Sequence, residues 1–164
     1  MSCNRHKEHL LVLPEDDANR QIAVGFQNHL SVNFRCMQIL EEARGWTNAK
    51  DTFLKTYVGS MRKYEKCLFL LLIDFDQNKD RRENIQAEIP VDLKDRVFIL
   101  GTESEPEALR SDLNGKPLEK IGDVLAEECA ESNHALWNHR LLKHNQPELN
   151  RLRPLLKRFL FQND

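Results

Sequence analysis

At 164 residues the chain is long enough to bury one ordinary core and too short for two comfortable domains, since a domain takes on the order of 100 to 200 residues. With 40% hydrophobic and 30% charged residues and a formal charge of -2, it has a globular composition, which excludes a disordered tail, a coiled coil and nucleic-acid binding by bulk charge alone. The longest apolar run, Cys67 to Ile73, is far below the roughly 20 residues of a membrane-spanning helix, and charged residues stand where a signal peptide needs an apolar stretch. A cytoplasmic protein without a membrane segment is expected.

In chain order, His9 to Leu13 is a short apolar run closed by Pro14, the pattern of a strand buried on both faces of a parallel sheet. Glu15, Asp16, Asp17 and Asn19 follow as helix-start residues, with Ile22, Ala23, Phe26 and Leu30 at helical spacing behind them. Val32 to Ile39 reads as a second strand interrupted by Asn33, Arg35 and Gln38. A turn at Gly45-Trp46-Thr47-Asn48 then leads to a helix from about Asp51 to Tyr64.

Cys67 to Ile73 is a continuous apolar strand ending abruptly in Asp74-Phe75-Asp76. Beyond the polar stretch 77–86, Arg96 to Leu100 gives a further strand, closed by Gly101 and the acidic Glu103, Glu105 and Glu107. The remainder reads as helical over 118–161, with Leu118, Ile121, Leu125 and Cys129 on one stripe and Leu149, Leu152, Leu156 and Leu160 on another. The alternation predicts one α/β domain over 1–164: a three-layer, Rossmann-like fold with a mainly parallel central sheet, helices on both faces and a helical C-terminal part. Ligands of such sheets bind at the carboxyl ends of the strands.

The acids at that edge carry the chemistry. In an extended backbone Asp74 and Asp76 point the same way, and Glu15 on the adjacent strand completes a set of hard oxygen donors suited to Mg2+ or Mn2+, which need only one or two carboxylates beside water and phosphate. A buried strand ending in Glu15, then a later one ending in Asp74-Phe75-Asp76, resembles the TOPRIM domain of topoisomerases, primases and small nucleases. The resemblance spans roughly residues 9 to 101 and departs from the family in having Asp16 where many relatives have glycine. It implies magnesium held by Asp74 and Asp76, a general acid or base at Glu15, and a magnesium-dependent nuclease or other phosphodiester-processing activity. Arg81 and Arg82, just beyond the pair, are candidates to steady a phosphate.

A second resemblance is to response-regulator receiver domains, with Asp16, Asp17 and Asp74 as the phosphorylation site and Thr102 and Lys116-Pro117 echoing the switch residues. The alternative function is accordingly a non-catalytic regulatory or protein-interaction module. The basic C-terminal residues Arg140, Lys143, Arg151, Arg153, Lys157 and Arg158 make nucleic acid a candidate partner, or else form a solvated helix face. His134, His139 and His144 recur every five residues, which spreads them around a helix instead of stacking them as metal ligands. Cys3, Cys36, Cys67 and Cys129 are scattered, as idle thiols are, and Trp46 and Trp137 read as core or interface residues. P-loop, dinucleotide-binding and serine-hydrolase motifs are absent.

Overall fold

The apolar runs become strands in the computed structural model, which describes residues 2–161. Strands β1 (His9–Pro14), β2 (Met37–Ile39), β3 (Cys67–Leu72) and β4 (Val97–Leu100) form one sheet in the order β2-β1-β3-β4, with every pair parallel. The alternation of side chains across the pleat divides the core in two. Leu10, Val12, Leu68, Leu70, Leu72, Phe98 and Leu100 face one side, while Leu13, Phe69, Leu71, Ile73, Val97 and Ile99 face the other.

The first side is covered by α1 (Asp17–Gln27), α5 (Pro106–Asp112), α6 (Leu118–Glu131) and α7 (Gln146–Phe159). Helices α1 and α6 touch through glycines: a Cβ on Gly25 would lie 1.9 Å from the Glu119 carbonyl oxygen, and one on Gly122 would lie 2.0 Å from that of Ile22. The second side is covered by α2 (Trp46–Thr52), a π-helical turn (Phe53–Tyr57), α3 (Val58–Lys63) and α4 (Asp80–Glu88). The expected three-layer α/β architecture is therefore present.

Several local expectations are corrected. Leu30 is not on the α1 stripe: the helix stops at Gln27 and Leu30 is 88% exposed. Only Met37–Ile39 of the 32–39 segment is strand, because Asn33 caps a 3-10 turn over Phe34–Cys36. The turn before α2 ends at Gly45, whose φ of 131° suits glycine, so Trp46 begins the helix. The three histidines lie in turns between α6 and α7, not around a helix. No helix among the described residues is long and apolar enough to cross a membrane.

The β4 edge is sealed by side chains. Glu148 accepts the Ile99 N–H at 2.8 Å, Arg82 donates to the Ile99 carbonyl at 2.6 Å and Arg151 to that of Val97 at 3.1 Å. Asn145 both accepts from the Gly101 N–H and donates to its carbonyl. Backbone groups that an open edge would offer to another strand are satisfied within the chain.

Candidate functional site

The chain leaves β1 towards β2 on one side and returns to β3 on the other, so the carboxyl ends of β1 and β3 flank the switch point where open α/β sheets place ligands. Ladder pairing continues past both strands. The Glu15 N–H donates to the Leu72 carbonyl at 2.9 Å and the Phe75 N–H to that of Thr102 at 3.0 Å. Gly101 is needed for this approach, since a Cβ there would fall 1.6 Å from the Ile73 carbonyl oxygen. Acids that are remote in sequence are thereby brought together.

The Asp74 N–H donates to the Glu15 carboxylate at 2.6 Å. Asp16 caps α1 through the Asn19 N–H at 2.9 Å, and the Asn19 side-chain amide donates to Asp16 at 2.9 Å and to Asp74 at 2.8 Å. Asn19, one turn into the helix after Glu15, is only 1% exposed, and its Oδ1 has no hydrogen-bond partner. The Thr102 hydroxyl, at the end of the strand beside β3, is likewise buried without a partner.

The electrostatics follow from this geometry. Burial pushes the Asp74 carboxyl up to about 8; the Asn19 hydrogen bond opposes the shift, and the charges of Asp16, Glu15 and Glu107 add to it. Burial also raises Glu15, against the pull of the Asp74 N–H, and Arg81 offsets part of the Asp16 repulsion. Carboxyls that resist ionising beside one another form a locus where added positive charge is stabilising.

Of the expected residues, Glu15 and Asp74 meet directly, but Asp76 turns away. Its φ of 49° breaks the extended backbone that would have aligned it with Asp74, and its side chain is 75% exposed beside Arg81 at 3.4 Å. Arg81 donates to the Asp74 carbonyl at 2.7 Å and lies over the Trp46 ring, leaving a buried Nε without a partner. Arg82 points elsewhere, to the β4 edge and Asn145, with both terminal nitrogens engaged.

Asn19, Glu107 and Trp46 were not singled out as site residues. Asn19 was legible as a helix-start amide one turn from Glu15, whereas nothing in sequence spacing announces Glu107 or Trp46 beside the acids. Trp137, by contrast, is core, its indole N–H donating to Leu125. All four cysteines are free, with burial raising each thiol.

Much of the C-terminal basic stretch is engaged internally: Arg140 with Asp112, Arg151 with Glu148, Arg153 with His134, Lys157 with Ser132 and Arg158 with Glu8. Lys116 is exposed in the turn between α5 and α6, with no strand before it.

Among the described residues no group of three or more His, Cys, Asp or Glu side chains is arranged as a ready metal cage. The donors present are nonetheless carboxylates and one orphaned amide oxygen, hard ligands that fit Mg2+ or Mn2+ with most positions left to water and substrate. Comparison of the chain with known protein families, with curated proteins and with solved structures finds no match.

Proposed function

We propose that this is a TOPRIM-like protein that binds Mg2+ or Mn2+ at the Glu15, Asp16 and Asp74 edge and processes phosphodiesters, as a nuclease does. One observation carries the reading: Asp16 and Asp74, from the ends of different strands, are held by a single amide group whose own oxygen is buried and unpartnered. A structural cap would need Asp16 alone. A second carboxylate crowded against the first, whose anionic form is disfavoured until positive charge joins it, suits a cation site and is not required by a helix cap.

In this reading Asp74 and Asp16 supply ligand oxygens, and Asn19 fixes their spacing. The bound cation supplies charge neutralisation at a phosphate oxygen. Glu15, raised by burial, exchanges a proton at its carboxylate with the attacking or leaving oxygen. Arg81, held beside Asp74 and Asp76, is the cation that contacts phosphate. Asp76 serves the site through its exposed carboxylate and its pairing with Arg81, not as a direct companion of Asp74. The substrate is a nucleic acid, reached from the open carboxyl edge.

Cleavage of plasmid and single-stranded oligonucleotide with magnesium tests this. The expected result is turnover in wild type that is lost in Glu15→Gln and Asp74→Asn; equal turnover in all three, or none in wild type, would contradict it. The buried, unpartnered hydroxyl of Thr102, whose carbonyl accepts from the Phe75 N–H, favours a second, receiver-like regulatory reading. Acetyl-phosphate labelling abolished by Asp74→Asn, in a protein that cleaves nothing, would select that one.

A further inference from the structure

We propose that the cavity beside the turn after β3 seats a nucleobase, stacked on the Arg82 guanidinium. This deepens the phosphodiester reading and rests on it for what happens to the ligand, though not for the seat itself. The cavity, about 310 Å³, lies between that turn, α4 and the 3-10 turn Lys143–Asn145. Its size is at the lower end of small-molecule sites and suits one heteroaromatic ring with its sugar.

Arg82 determines the kind of ligand. Its guanidinium lies over Phe75, 4.5 Å from the ring centroid, and its terminal nitrogens donate to Ile99, Asn145 and the His144 Nδ1. An anion is bound by in-plane N–H groups, and both terminal nitrogens of Arg82 already serve partners within the chain. Arg82 lines the cavity together with Phe75, and its guanidinium is a flat delocalised cation of the kind on which bases stack.

Charge points the same way. Lys79 and Arg82 in the lining are balanced by Glu83 and Glu103, so the cavity is not an anion basin. His144 adds no charge near neutrality, because burial and the Arg82 charge hold it below its ordinary value. The remaining polar lining is amide: Gln77, Asn78 and Gln86. Amides present both donors and acceptors, which is what base edges require.

The wall carrying Gln77 is built at a cost. Asp76 and Gln77 are consecutive non-glycine residues with φ of 49° and 57°, held there by bonds from their N–H groups to the Ser104 and Glu103 carbonyls at 3.2 and 2.6 Å. The same turn carries Asp76, and Arg81 follows on α4, so the cavity adjoins the acidic edge in the chain.

The test is ligand-observed NMR on the full chain in EDTA, with nucleoside 5'-monophosphates and a short single-stranded oligonucleotide as probes. Saturable binding through the base protons is expected, unchanged in the surface variant Arg158→Gln and at least tenfold weaker in Gln86→Trp, which fills the cavity. If Gln86→Trp lowers the melting temperature, the near-isosteric Gln86→Leu decides, with a loss of at least threefold expected. Equal affinity for monophosphates and oligonucleotide identifies a free nucleotide, and tighter oligonucleotide binding a strand; both support the seat. No binding by any base, or binding indifferent to the Gln86 variants, overturns it. Base binding in a protein that never cleaves with magnesium would remove the phosphodiester reading and leave the seat standing.

Discussion

The seam between α7 and β4 buries charge and the carboxyl edge of β1 and β3 half-buries it, and they resolve it differently. At the seam Glu148 has an arginine partner at 2.8 Å and a backbone N–H at the same distance, and Arg82 and Arg151 reach backbone carbonyls. At the edge Glu15, Asp16 and Asp74 face one another, with one amide between two of them. Buried charge that is fully paired is a structural device, whereas buried like charge is a cost that stability alone does not explain. The contrast is the reason we propose the edge, and not the seam, as the functional region.

The largest expected effect breaks the seam. Glu148→Ala leaves the Ile99 N–H and Arg151 without their shared acceptor, and should cost about 3 kcal/mol, on the order of 10 °C in melting temperature. Thermal and urea unfolding would measure it. Asp74→Asn should do the opposite in metal-free protein, raising stability on the order of 1–2 kcal/mol by removing a carboxyl that burial and its neighbours disfavour. A destabilised Asp74→Asn would show that the edge is structural after all.

The pH dependence sharpens the same difference. Between the ordinary Asp74 value of 3.8 and its folded value of about 8, the folded chain holds a proton that the unfolded chain has released. That stabilisation is complete below about 4 and is lost as pH rises through about 8. In EDTA the melting temperature should therefore fall from pH 5 to pH 8, and this slope should flatten in Asp74→Asn. The smallest effect belongs to the surface: Arg158→Gln removes an exposed pair with Glu8 and should change stability by no more than about 0.5 kcal/mol.

The two regions also differ in how far they can be read from sequence. Strands β1, β3 and β4 announce themselves as continuous apolar runs, and their parallel alternation with helices leads to a carboxyl edge where Glu15 and Asp74 do meet. Asp76 was misplaced because spacing of two implies a shared face only in extended backbone, and the chain enters the left-handed region at that residue. The role of Trp46 was hidden because Gly45 marks a turn without saying on which side the helix begins. The seam was invisible for another reason: Glu148 meets Ile99 across 49 positions, a contact that no local pattern encodes. The histidines, read as helical, occupy turns whose conformation is set by such distant packing, as in the contact of His139 with Asp112.

The most direct test of the cation site is a titration of Mg2+ and Mn2+ against melting temperature at pH 8 for wild type and Asp74→Asn. A ligand that binds only the folded state must raise the transition in proportion to the logarithm of its excess over the dissociation constant. Wild type should rise with either metal while Asp74→Asn, more stable at the outset, does not move. Equal responses, or none in wild type, would contradict the assignment of the edge as a divalent-cation site.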